Sequence, residues 1–215
     1  MVVFHLIEIA LEQIVSKNNA MLKILKKDEQ GAVNTKHKEI GIFSSLDKAE
    51  KAMMQTVEEN KDMPFVNLGF FIAEREVDDP HFNEQWDSLG SFVSLRSYLA
   101  DGTVNCISRM DTSCKKKFRG REDKICLKTG DLAWWYCGSK IKPVLIGELP
   151  LSASEWKKRI KGFGDFTDDS YTVFTVFAGH EHPFAPNIFP YTGKISKILL
   201  KKLETERDWY YDGNI

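Results

Sequence analysis

Lys128 to Pro150, KTGDLAWWYCGSKIKPVLIGELP, carries the strongest β signal in the chain. Two apolar runs, Leu132–Cys137 and Pro143–Leu149, flank the turn-forming Gly138-Ser139-Lys140. At a strand's period of two, Leu132, Trp134 and Tyr136 face one side, and Ala133, Trp135 and Cys137 the other. A strand apolar on both faces is covered on both, so this hairpin is expected inside the fold. Thr129-Gly130-Asp131 supplies the turn that launches it, because glycine tolerates positive φ and an aspartate accepts from nearby backbone.

Downstream, Ser152-Ala153-Ser154-Glu155 forms a capping box, with Trp156 and Ile160 on a buried stripe and Gly162 as the stop. A short connection favours neighbours in space, so Trp134 and Tyr136 are expected against this Ser152–Lys161 helix. Asp165–Ser170 reads as an acidic turn and Tyr171–Ala178 as a second interior strand. Residues 179–193 hold three of the seven prolines and read as irregular. A last helix over about Lys194–Glu206 is expected to bury Ile195, Ile198, Leu199 and Leu203, with Lys197, Lys201 and Lys202 outward.

Upstream, Phe92–Leu99 and Thr103–Ser108 flank Ala100-Asp101-Gly102, where Asp-Gly predicts a two-residue type I′ hairpin. Asp111–Lys124 is a polar excursion before Ile125–Leu127 resumes a strand. Such a run of hairpins suits a mainly antiparallel, curved sheet of SH3-like or half-barrel type with two helices.

The first part of the chain reads differently. A strand is expected through about Ile9, and the polar residues 26–39, KKDEQGAVNTKHKE, read as a loop or hairpin connection. Ile40–Phe43 is a short β-run, and Ser44 or Ser45 caps a helix with its stripe at Leu46, Ala49, Met53 and Val57. Leu68–Val77 is a strand with one end buried and one end wet. The segments GIFSSLDKAEKA and FFIAEREVDD, followed by Trp86, resemble a family of small uncharacterised bacterial α+β modules. The resemblance spans roughly residues 1–90, departs in the long connection before Ile40, and implies a separate small fold with no assigned activity. With the turn-rich residues 78–90 as boundary, the expectation is an α+β protein of two units, 1–88 and 89–215, each with its own sheet.

Composition bounds the function. At 215 residues, 42% hydrophobic and 28% charged, the chain can bury a substantial core. Residues 1–88 hold 10 basic and 16 acidic side chains, and residues 89–215 hold 20 and 15, so either the halves attract or the second meets an anionic partner. No apolar run approaches a membrane span, and Glu8 and Glu12 interrupt the opening apolar segment, so a cytoplasmic protein is expected. Cys106, Cys114, Cys126 and Cys137 lack C-x-x-C spacing and read as free thiols.

Three patterns could carry chemistry. His180-Glu181-His182 is an H-x-H pair, two potential metal ligands on one side of an extended segment, with Asp168, Asp169 and His5 as the further donors nameable from sequence. It supports a metal-dependent hydrolase as an alternative reading. Lys115, Lys116, Lys117, Arg119, Arg121 and Lys124, with Trp134 and Trp135 nearby in sequence, are the residue types that grip anions or single-stranded nucleic acid. Ser44, Ser45 and Ser170 lack a G-x-S-x-G context, and no phosphate-cradling glycine motif occurs. The reading that remains is a non-catalytic interaction or regulatory module, of immunity or mobile-element accessory type, with a protein as its expected macromolecular partner, nucleic-acid binding through the 115–124 basic loop as an alternative, and no cofactor beyond the divalent metal that the hydrolase reading needs.

Overall fold

The computed structural model describes residues 1–11, 31–61, 67–77, 93–111, 117–123, 125, 127–147, 171, 173–176, 179–191 and 195–212. The fold is α+β, mostly antiparallel sheet with two helices among the described residues. Strands β1 (Val2–Leu11), β2 (Val33–Phe43) and β3 (Asn67–Glu76) form one ladder with β1 central. It continues through β4 (Ser94–Leu99), β5 (Val104–Asp111) and β6 (Lys117–Asp123). On its other side β2 meets β8 (Lys140–Ile146) through two register pairs, Val33 with Ile141 and Asn34 with Lys140. From there β8 pairs with β7 (Leu132–Tyr136) and β9 (Val173–Thr175), β9 with β10 (Gly179–Glu181), and β7 with β11 (Ile188–Pro190).

This pairing overturns the expectation of two separate sheets. Gly69 to Glu74 of β3 pair residue by residue with Leu99 to Ser94 of β4, directly across the proposed boundary. The strands before and after residues 78–92 are therefore neighbours in one ladder. Turn composition marks a connection, and it says nothing about whether the flanking strands pair.

The central hairpin forms as its pattern requires. Ala133, Trp134 and Tyr136 are buried on β7, as are Ile141, Val144, Leu145 and Ile146 on β8. Gly138 has φ +79°, Cys137 N–H donates to the Lys140 carbonyl at 2.9 Å, and Gly138-Ser139 is the two-residue loop. Positive φ at the first loop position matches the primed turns, whose twist suits the strands. At the launching turn, Gly130 has φ +89° and the Asp131 carboxylate accepts from Lys128 N at 2.7 Å. The other predicted hairpin differs: Gly102 N–H donates to the Leu99 carbonyl and Leu99 N–H to the Thr103 carbonyl, a three-residue loop with Gly102 at φ +82°.

The loop or hairpin connection expected over 26–39 gives way at Val33 to β2, which runs eleven residues. Its polar side chains Lys36, Lys38 and Glu39 are exposed while Val33 and Thr35 are buried, and the strand is held by its backbone ladder to β1. Residues 179–191, expected irregular, contain β10, a single 3-10 turn at Ala185–Asn187 and β11. Pro186 fits that turn's start, where no N–H is needed, and Pro190 ends β11.

Helix α1 (Leu46–Asn60) starts at Ser45, whose side chain accepts from Lys48 N. It buries Ala49 and Met53 against Leu6, Phe70, Ile72 and Tyr98, one face of the sheet. The opposite face, with Ile7, Ile9, Phe71, Ala73 and Leu95, packs on Trp134, Tyr136, Ile141 and Phe189. Helix α2 (Lys197–Asp212) lies on β8 and β9 through Leu203, Leu199, Leu145, Phe174 and Val176. Ile195 and Leu199 are partly buried there, but Ile198 is 74% exposed, contrary to the expected stripe. The inward line is Leu199, Leu203 and Tyr210, and Ile198 lies about 100° around the helix from Leu199. No described helix is long and apolar enough to cross a membrane.

Candidate functional site

His180 lies in β10, opposite Phe174 of β9, and His182 follows the strand directly. Extended backbone places their side chains on one side, and the ring centroids are 5.3 Å apart at 79°. Both residues are exposed. The His180 ring also packs 4.6 Å from the ring of Tyr210, from the last turn of α2, and Tyr210 in turn touches Phe174 at 5.5 Å. The histidine pair therefore sits where β10 meets the end of α2. Tyr210, thirty residues downstream, carried no signal that could have placed it there.

His5, one of the further donors expected from sequence, does not join it. His5 pairs with Ile42 and Ala73, beyond the β2–β8 seam, and β2 alone runs roughly 26 Å from Ile42 to Asn34. Asp168 and Asp169 lie outside the described residues. Among the described residues no group of three or more His, Cys, Asp or Glu is placed to hold a metal.

The basic run is only partly described. Lys117, Arg119 and Arg121 belong to β6, so their backbone is a paired strand rather than the expected polar excursion, and Arg119 is the residue skipped where the β5–β6 register shifts. Lys115, Lys116 and Lys124 lie outside the described residues. Trp134, proposed from sequence as a binding platform, is 5% exposed and stacks on Tyr191 at 4.4 Å. Trp135 is half-buried, with Lys142 Nζ 5.3 Å from its ring centre. The predicted Ser152–Lys161 helix, with Trp156, lies outside the described residues. Cys106 is buried, and Cys137 is half-buried with its Sγ donating to the Lys140 carbonyl at 3.3 Å.

Sequence reasoning missed the buried charges. Glu8 is 3% exposed; its Oε1 accepts from Asn60 Nδ2 at 2.8 Å and Asn67 Nδ2 at 3.0 Å, and Lys38 Nζ is 3.5 Å from Oε2. This carboxylate ties the end of α1 to the start of β3. Tyr98 Oη donates to Glu50 Oε1 at 2.7 Å and ties α1 to β4; burial first, then Glu50, raises its phenol well above the usual range. At the far end of β1, His5 and Arg75 are buried, and His5 Nε2 is 3.5 Å from Glu39 Oε1. A cleft of about 310 Å³ opens beside Leu11, Leu68, Leu99, Asp101, Trp134 and Phe189. Its walls are apolar apart from Asn67 and Asp101, and the Asp101 carboxylate already accepts from Thr103 N at 2.9 Å.

His5 sets a pH dependence. Burial, then the nearby Arg75 guanidinium, hold its imidazole below the ordinary 6.5, with Glu39 opposing. The unfolded chain therefore takes up this proton first, so the His5 contribution is intact above 6.5 and is lost as pH falls through the lower folded value. Urea midpoints should fall between about pH 7 and about pH 5, and His5→Gln should flatten part of that fall. An identical slope in the variant would assign the acid sensitivity elsewhere.

The outer side of α2 presents Ile198 at 74% exposure, Trp209 at 70% and, near its end, Tyr211 at 41%. Ile198 and Trp209 are three helical turns apart and share one face, about 16 Å from end to end. Compared with protein-family models, with curated proteins and with solved structures, the chain gives no match in any of the three.

Proposed function

We propose that the chain is a non-catalytic interaction module that binds a protein partner through the outer face of α2. The observation that carries this is the pairing of Ile198 and Trp209 on one helix face at 74% and 70% exposure. Leaving a tryptophan in water forgoes on the order of 2–3 kcal/mol of burial. Exposed aromatic and aliphatic anchors spaced along a helix are the means by which a groove on another protein reads it. Lys201, Thr205, Asp208 and Asp212, all exposed, supply a polar rim. In this reading the second half is a strongly curved, half-barrel platform for α2, supported by a β2–β8 seam only two register pairs long.

The test places a photo-crosslinking residue at Thr205, on the same face, and at exposed Lys61, directly after α1, as control. Irradiation in cells should give a discrete protein adduct from position 205 and none from 61. Trp209→Ala should abolish that adduct while changing stability by no more than about 0.5 kcal/mol. An adduct that survives Trp209→Ala, or one made only with nucleic acid, would overturn the assignment.

A further inference from the structure

We propose that His180 and His182 form a two-imidazole half-site for a borderline divalent cation such as Zn²⁺, Ni²⁺ or Cu²⁺. The separation of the two ring centres matches what two imidazoles on one ion require. A metal–nitrogen bond of about 2.0–2.1 Å plus roughly 1.1 Å to the ring centre places each centroid about 3.2 Å from the metal. Two such vectors at a tetrahedral angle separate the centroids by about 5.2 Å. The rings stand 5.3 Å apart and nearly perpendicular. A pair splayed to opposite sides of the strand, or stacked face to face, would not meet this condition.

Two features keep the geometry in place. Pairing of His180 with Phe174 fixes the backbone of β10, and the Tyr210 ring, tilted 51° at 4.6 Å, packs on the His180 imidazole. Both histidines are exposed, so an ion can enter and water can fill the coordination positions that they leave. Imidazole donors select the borderline transition ions and disfavour Mg²⁺ and Ca²⁺, which take oxygen ligands. The half-site needs no third protein ligand and no catalysis, and it is independent of what α2 binds.

The experiment is calorimetric titration of the tag-free, chelator-stripped full chain with Zn²⁺, Ni²⁺, Cu²⁺ and Mg²⁺. One ion per chain should bind, Cu²⁺ more tightly than Ni²⁺ or Zn²⁺, with no binding of Mg²⁺. His180→Asn and His182→Asn should each weaken Zn²⁺ by about tenfold or more, and His37→Asn should not. Equal binding in either β10 variant, or equal binding of Mg²⁺ and Zn²⁺, overturns the site. Paramagnetic resonance of Cu²⁺ on the unaltered chain decides the matter without any variant. Hyperfine coupling to two imidazole nitrogens is expected, and an oxygen-only spectrum overturns the proposal.

Discussion

Replacing Trp134 by alanine is expected to cost about 3–5 kcal/mol in equilibrium urea unfolding, the range for a large aromatic removed from a packed interior. Trp134 is 5% exposed and belongs to the cluster that joins the two parts of the sheet, among Ile7, Ile9, Phe71, Leu95 and Phe189. Its ring stacks on Tyr191 at 4.4 Å and 26°, so the substitution strips one face of a second aromatic as well. The loss exceeds simple transfer to water because ladders on either side hold the neighbours. Trp134 is opposite Pro143 on β8 and opposite Phe189 on β11, and neither strand can close over the gap without breaking its register. Trp134→Phe should recover roughly half of the loss by refilling most of the volume. A cost under about 1 kcal/mol would mean that the indole is a surface binding group, and would return weight to the nucleic-acid reading.

What the sequence made legible follows from which forces act locally. The β7–β8 hairpin could be read because apolar residues on both faces and a glycine at the turn are both properties of the strand itself. Helix α1 was equally open, since its cap and stripe are contiguous. The strand β2 was hidden because Lys36, His37, Lys38 and Glu39 carry no burial signal. What makes them a strand is the backbone of β1, a partner some thirty residues away. Three-residue pairings such as β10 and β11 are too short for any periodicity. Burial of Glu8 and Arg75 depends on what surrounds them, for Glu8 the amides of Asn60 and Asn67, and no rule of spacing announces such neighbours. The H-x-H pair was visible as a motif, whereas its ring spacing and its contact with Tyr210 are products of the fold.

Gly69→Ala should cost about 3 kcal/mol or more, and its cause is purely steric. A Cβ at Gly69 would lie 2.0 Å from the carbonyl oxygen of Tyr98 and 3.1 Å from Cε1 of Phe189. The first contact decides the outcome, because a ladder carbonyl cannot swing aside as a flexible side chain can. Tyr98 is held by pairing with Phe70 and Val104 and by its hydroxyl bond to Glu50 on α1. Relief therefore requires β3 and β4 to part, and those are the strands that carry the sheet across the 78–92 connection. Overpacking usually costs about 1–3 kcal/mol when side chains can adjust, so a backbone clash belongs at or above the top of that range. Gly130→Ala is the matched control: its φ of +89° strains any side chain, yet a Cβ there meets nothing within 4 Å. That substitution should cost only about 1–2 kcal/mol, the price of a left-handed conformation. Unfolding midpoints of the two variants then separate contact from conformation. If Gly69→Ala proves no more costly than Gly130→Ala, the close approach of β3 to β4 at Tyr98 is wrong, and with it the register that joins the two halves of the chain.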